Sequence, residues 1–213
     1  MLVIHHLGAS QSERVLWACE ELGLPYELVR YEREPSGAAP AAYKALHFYG
    51  IAPVIQDGDL VLGESGAIVE YLCRKYGNGR LTVDPGAPNF ADYLYWYHFA
   101  NGTFMPGALV LLVAPLPAPG SPLTERDRMR GQRLERAYEM AERRLGETPY
   151  FAGAEFTAAD IMMAYPLTTT RRRIPRDLSG SPNTLAYLQR IGARPAFQRA
   201  FRKGEPDLAP LLT

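Results

Sequence analysis

No convincing strand signal appears after residue 76 of this 213-residue chain, and that asymmetry constrains the fold more than any single motif. Up to that point short strand-like and helix-like runs alternate, the pattern of an α/β unit. Leu2 to His6 reads as a strand, and Val15, Leu16, Cys19 and Leu22 then recur at helical spacing until Gly23 and Pro25 supply the stop. Tyr26 to Tyr31 alternates as a second strand, Pro35 to Pro40 is loop, and Ala41 to Leu46 is a weak helix. Pro53 to Ile55 and Leu60 to Leu62 flank Asp57-Gly58-Asp59, a hairpin signature, and Ser65 opens a helix that ends near Gly77.

Gly77, Gly79, Pro85, Gly86 and Pro88 then crowd together with little periodicity, which places a domain boundary there. Beyond it the spacing predicts helices over Asn89 to Val113, Glu125 to Leu145, Ala158 to Arg173, Pro182 to Ile191 and Pro195 to Arg202, with the Pro-rich loop Pro115 to Pro122 between the first two. The expected organisation is an α/β domain over residues 1–78 and an all-α domain over residues 88–213.

Charge and cysteine usage narrow the function classes. The 23 basic and 23 acidic side chains cancel, so the chain offers no overall basic field of the kind nucleic acid or an anionic membrane attracts. No apolar run approaches the ~20 residues of a membrane span, and Met1 to Ser10 is too short and His-rich for a signal peptide, so a cytoplasmic location is expected. Cys19 and Cys73 have no metal-type or CxxC spacing and sit on apolar helix stripes, as buried small hydrophobes would. His5 and His6 are strand neighbours that point to opposite faces and cannot share a metal, which leaves them core or hydrogen-bonding roles. Arg171, Arg172 and Arg173 fall near a helix end, where the dipole favours cations.

Three short motifs admit both a structural and a chemical reading. Ser10 with Glu13 matches a capping box, yet a hydroxyl at a helix N-terminus is equally placed to stabilise an anion such as a thiolate. Ser65 reads as an N-cap beside an exposed Glu64; alternatively Ser65 and the first helical N–H groups bind a carboxylate while Glu64 receives an ammonium, so that one motif grips both ends of an α-amino acid. Pro53 opens a strand, and a cis Ala52–Pro53 peptide would turn the Val54 backbone outward for a peptide ligand. In the second half, Thr157 and Asp160 form a capping pair, with Phe156 and Ile161 at the spacing of a hydrophobic staple. The run of Tyr93, Tyr95, Trp96, Tyr97, Phe99 and Phe104 puts aromatics on every side of one helix, more than the surface helix of a monomer shows.

Together the motifs and their order resemble the glutathione transferase family. HHLGASQSERVLWACEELGLPYE is similar to the opening of bacterial cytosolic members, and GIAPVIQDGDLVLGESGAIVEYL resembles the family's cis-proline strand, hairpin and Glu-Ser pair. YWYHFANGTFMP and FTAADIMM resemble its helical domain. The resemblance implies a thioredoxin-like first domain, a cis Pro53, pairing of the Val54 backbone with the cysteinyl part of glutathione, and capture of the γ-glutamyl end by Glu64 and Ser65. Ser10 falls where serine-type members hydrogen-bond the sulfur, and where redox members carry a cysteine. It also implies a homodimer, with Tyr97, Asn101 and Phe104 lining the electrophile pocket.

The expected function is conjugation of the glutathione thiolate to small hydrophobic electrophiles in detoxification, with glutathione as co-substrate and neither metal nor nucleic acid as partner. Ala9, Gln11 and Ile51 stand where similar bacterial sequences carry Asn, Arg and Lys. That departure keeps open a non-catalytic glutathione-binding or protein-interaction module, and glutathione-dependent reduction, isomerisation or dehalogenation is a further alternative.

Overall fold

A computed structural model of the chain describes residues 1–114, 117–118 and 120–213; Pro115, Leu116 and Pro119 of the Pro-rich loop lie outside the described residues. The chain forms two compact units. The first comprises Met1–Val83 with Ile191–Pro210, and the second Asp84–Arg190 with Leu211–Thr213.

In the first unit the elements run β1 (Leu2–Leu7), α1 (Ser12–Leu22), β2 (Glu27–Tyr31), α2 (Ala41–Lys44), β3 (Val54–Asp57), β4 (Leu60–Gly63) and α3 (Ser65–Lys75). The four strands form one sheet in the order β2-β1-β3-β4, with β1 parallel to β2 and the other pairs antiparallel. The parallel pair follows from the βαβ step through α1, whereas Gly58, at φ 61°, turns the chain tightly between β3 and β4. Val15, Leu16, Cys19, Ile68, Val69 and Leu72 of α1 and α3 are buried along with Ile4 and Ile55 of the sheet, which makes this the core of the unit. Cys19 and Cys73 are buried free thiols there, and burial pushes Cys73 up to about 12 and Cys19 higher still, so neither is a nucleophile.

The second unit begins with α4 (Phe90–Phe99), a π-helical turn (Ala100–Phe104) and α5 (Met105–Val113), where the sequence predicts one continuous helix. It continues through α6 (Glu125–Glu147), α7 (Ala158–Leu167), a 3-10 turn (Thr169–Arg172) and α8 (Pro182–Gly192). The helix expected to reach Arg173 ends at Leu167: Pro166 offers no N–H to the helix, and Thr168 leaves helical backbone at φ −120°, ψ −94°. Thr157 and Asp160 form the expected capping box, and Asp160 also accepts the Phe151 N–H at 3.0 Å. Arg171 donates to the carbonyls of Leu167 and Arg176, as a cation near a helix end does.

One expected boundary is corrected. α9 (Pro195–Gly204) belongs with the first unit, not with the helices of residues 88–190. Its Phe197 ring meets Trp17 of α1 edge-on at 5.0 Å, and Arg194 grips Glu21 through two bonds of 2.6 and 2.7 Å. Helical periodicity exposes the apolar stripe Ala196, Phe197, Ala200 but carries no information on which surface covers it.

Candidate active site

β1 leaves the sheet at Leu7 and turns through Gly8 and Ala9, the latter at φ 48°, before α1 starts. This turn delivers Ser10 to the head of the helix, where it is buried. The capping box expected of Ser10 and Glu13 does not form. The Glu13 N–H instead donates to the Ser10 carbonyl at 3.1 Å, and the Ser10 hydroxyl oxygen accepts the Ser12 N–H at 3.2 Å. Its remaining partner is Ser12 Oγ, 2.8 Å away.

Ser12 continues this contact inward. Its hydroxyl accepts the Leu7 N–H at 3.2 Å and lies 2.8 Å from His6 Nδ1. The opposite ring nitrogen, His6 Nε2, is 3.0 Å from Glu205 Oε1, which also takes the Ala9 N–H at 2.6 Å. Burial pushes the Glu205 carboxyl up, but the His6 and Ala9 hydrogen bonds and the Arg30 charge outweigh it and hold the group below the usual carboxylate range. Gly204 makes the approach possible: a Cβ there would sit 2.9 Å from Leu16 Cδ1 and 3.2 Å from His6 Cε1. His5, on the other strand face, bonds Tyr31 Oη through Nδ1 at 3.1 Å, so the two histidines are separated as the strand alternation requires.

Across the sheet, the Ala52–Pro53 peptide is cis and Val54 is the first residue of β3, paired in register with His5 and Gly63. The Val54 side chain is buried with Leu7 and Tyr43. Glu64 follows the hairpin at φ 68°, ψ 112°, outside the αL well, and its carboxylate is exposed. Ser65 is the first helical residue and does not cap α3: its hydroxyl turns to α1, accepting from Arg14 Nη1 at 3.0 Å and donating to Gln11 Oε1 at 3.2 Å. Arg14 also donates to Gln11 Oε1. Gln11 and Ser12, adjacent in sequence, therefore connect the Ser65 and Ser10 positions through the first turn of α1.

In the second unit, Tyr97 is buried with its ring 5.6 Å from Tyr93, and Asn101 is partly exposed on the π-helical turn, an element that recurs at functional sites. Phe104 is corrected from a pocket residue to a core residue: it is wholly buried and edge-on to Tyr138 at 4.8 Å.

Sequence reading missed His6, Arg14 and Glu205 as site residues. Arg14 had a visible signal, a cation in the first turn of a helix whose other charged residues, Glu13, Glu20 and Glu21, are all acidic. Glu205 had none, because 199 residues separate it from His6. Among the described residues no group of three or more His, Cys, Asp or Glu could hold a metal, and no helix is long and apolar enough to cross a membrane.

Residues 4–80 match the family profile described as glutathione S-transferase, N-terminal domain, and residues 124–190 match its C-terminal domain. Glutathione S-transferase 3 of Schizosaccharomyces pombe is 31% identical over 226 residues, covering 100% of this chain and 92% of the relative. A glutathione S-transferase structure from Actinobacillus pleuropneumoniae superposes with a TM-score of 0.86 at 30% identity, covering 98% of this chain and 97% of the other. The theta class enzyme of Xanthomonas axonopodis pv. citri, solved with glutathione bound, gives a TM-score of 0.69 at 28% identity over 93% of this chain and 96% of its own. With both domain profiles matched in order, on a thioredoxin-like sheet unit followed by helices, and with relatives aligned along nearly its whole length, the chain belongs to the glutathione S-transferase family.

Proposed function

We propose that this chain conjugates the thiolate of glutathione to small hydrophobic electrophiles, with Ser10 as the residue that stabilises the sulfur. The observation that carries the reading is the position of the Ser10 hydroxyl at the head of α1, accepting the Ser12 N–H at 3.2 Å. An anion at that point meets an O–H donor and the positive end of an 11-residue helix together. A free thiol has a pKa of ~8.5, and each unit by which the site lowers it corresponds to ~1.4 kcal/mol of thiolate stabilisation. Ser10 is a donor in this scheme; the sulfur lone pair attacks the electrophilic atom, and a thioether bond forms as the leaving group departs or the acceptor bond opens.

Glutathione is held by Glu64, which takes the ammonium of the γ-glutamyl end, by Ser65 and the first N–H groups of α3, which take its carboxylate, and by the Val54 backbone beside Pro53. Arg14, buried behind Ser65, adds positive charge at the carboxylate position. Asn101 and Tyr97 are the candidates for contact with the electrophile. A cytoplasmic homodimer that serves detoxification completes the reading.

Glutathione binding without catalysis is a second reading, favoured by Ile51, an exposed aliphatic side chain where a loop cation would meet the glycine carboxylate. Titrating the thiolate absorbance of bound glutathione decides between them. Ser10→Ala should raise the pKa of the bound thiol and lower turnover with a panel of electrophiles, while glutathione remains bound. A parent protein that binds glutathione with an unshifted thiol pKa and turns over none of the panel would establish the non-catalytic reading.

A further inference from the structure

The buried polar chain behind Ser10 is longer than sulfur stabilisation requires. Ser10 Oγ to Ser12 Oγ is 2.8 Å, Ser12 Oγ to His6 Nδ1 is 2.8 Å, and His6 Nε2 to Glu205 Oε1 is 3.0 Å. All four residues are buried, His6 wholly so. We propose that these residues form a proton relay, in which the thiol proton of glutathione passes through Ser10 and Ser12 to His6 Nδ1 while Glu205 neutralises the imidazolium. The inference rests on Ser10 meeting the sulfur, as argued above.

Hydrogen-bond capacity sets the direction of each proton. Glu205 Oε1, an acceptor, fixes a proton on His6 Nε2, so neutral His6 presents a bare Nδ1. Ser12 then donates to Nδ1 at 2.8 Å, in preference to the Leu7 carbonyl at 3.4 Å, and accepts from the Leu7 N–H and from the Ser10 hydroxyl. Ser10 donates to Ser12, accepts the Ser12 N–H, and keeps one lone pair for an incoming S–H. When that proton moves, the S–H bond breaks, each serine gains one proton and passes one on, and an Nδ1–H bond forms. Ser12 now accepts from Nδ1–H and the Leu7 N–H and donates to Ser10, and Ser10 donates to the thiolate. The Ser10, Ser12 and His6 donors and acceptors keep partners both before and after the transfer, and no atom changes oxidation state. After the thioether forms, His6 returns its proton along the same path to the leaving group or to water.

The surroundings suit a base that must become a cation. Glu205, from the segment after α9, faces the imidazole, and Arg30 of β2, paired in register with His6, acts on the Glu205 carboxylate. α1 contributes the Ser12 hydroxyl and the apolar Leu16, and α9 brings Gly204 within 3.2 Å of the ring. Ser12, His6 and Glu205 act through Ser10 and are positioning residues.

The test titrates the bound thiol in the parent, Ser10→Ala, Ser12→Ala and Glu205→Gln, each checked for a cooperative melt. Nitrogen-15 NMR of His6 in the parent is recorded with and without glutathione. Ser12→Ala and Glu205→Gln should each raise the thiol pKa by about one unit, up to a tenfold loss of thiolate at a fixed pH, with affinity for the protonated thiol form, measured below both pKa values, held within about twofold. His6 Nδ1 should change from bare to protonated as glutathione binds. If Glu205→Gln does not fold, Ser12→Ala and the NMR measurement carry the same test. A raised pKa in Ser10→Ala alone, or a thiolate formed while Nδ1 stays bare, overturns the relay and leaves the Ser10 assignment standing. An unshifted pKa in Ser10→Ala, or no glutathione binding by the parent, overturns the Ser10 reading and the relay with it.

Discussion

Arg14 reaches from α1 to the first residue of α3, with its Nη1 3.0 Å from Ser65 Oγ and both residues at 1% exposure. A guanidinium does not shed its proton in a protein, so a fixed positive charge lies beneath the N-terminus of α3. The helix dipole adds positive potential at the same point, which a bound carboxylate would neutralise. Arg14→Met, which keeps the length of the side chain, should weaken glutathione binding by about 10- to 100-fold, or ~1.4–3 kcal/mol. The charge contribution is isolated by a glutathione analogue lacking the γ-glutamyl carboxylate: by calorimetry the parent should bind it as weakly as Arg14→Met does, with little further loss when both changes are combined.

Glu64 holds φ 68° and ψ 112°, a conformation that costs a non-glycine residue about 1–3 kcal/mol. Glu64→Gly therefore removes the backbone penalty and the carboxylate together, with opposite consequences for stability and binding. The variant should melt at or above the parent's temperature, since relief of strain outweighs the extra chain entropy of glycine, ~0.5–1 kcal/mol. Glutathione affinity should fall, because the ligand's ammonium loses its partner. A variant that melts lower and binds as tightly as the parent would show that the backbone is held there for some purpose other than presenting this carboxylate.

The extent to which these relationships are legible in the sequence differs between fold and site. Strand and helix order follows from periodicity and turn chemistry, because Gly23, the Asp57-Gly58-Asp59 turn and the Thr157/Asp160 pair act on their immediate neighbours. Ser10 and Ser65 are visible for the same reason, as hydroxyls at helix starts. Where those hydroxyls turn is decided elsewhere: Ser65 faces Arg14 and Gln11, 51 and 54 residues away, instead of capping its own helix. The docking of α9 and the Glu205 contact depend on the close approach that Gly204 permits, and a glycine beyond a helix reads in sequence only as a stop.

Glu20 links α1 to α9 through two charge-assisted contacts, from Arg199 Nε at 2.7 Å and Lys203 Nζ at 2.5 Å, and takes a third hydrogen bond from Tyr26 Oη at 2.6 Å. Burial pushes its carboxyl up, but these three donors outweigh that and hold it below the usual range. A carboxyl depressed on folding contributes stability that is fully present above its unfolded pKa of ~4.3 and is lost as pH falls through the folded value. Melting temperature should accordingly drop more steeply below about pH 4 in the parent than in Glu20→Gln, while the substitution costs stability at neutral pH. Amide exchange in α9 should report the loss first, since the contacts hold that helix. Parallel acid limbs for parent and variant would show that Glu20 contributes no pH-dependent docking.

Tyr95 of α4 is 49% exposed, an unusual state for a ring that stacks on Phe99 at 5.6 Å and meets Trp96 edge-on at 5.2 Å. It lines a surface groove with Met140 of α6, itself 37% exposed, and with the charged residues Asp92, Arg143, Arg144 and Glu147. Within the chain Arg144 pairs with Asp92 and Glu147, and Arg143 with Glu147, so the rim is charge-balanced, and an apolar centre with such a rim is suited to a two-fold contact in which the same patch meets its own copy. Light scattering of the parent at micromolar concentration should give twice the 23.7 kDa chain mass. Tyr95→Glu places two like charges near the centre of that contact and should shift the mass toward the monomer, whereas Tyr95→Phe should leave it dimeric. Raising the salt concentration should weaken the rim ion pairs only modestly, because exposed pairs of this kind contribute about 0–1 kcal/mol each. A dimer that survives Tyr95→Glu unchanged would place the association on another surface of the chain.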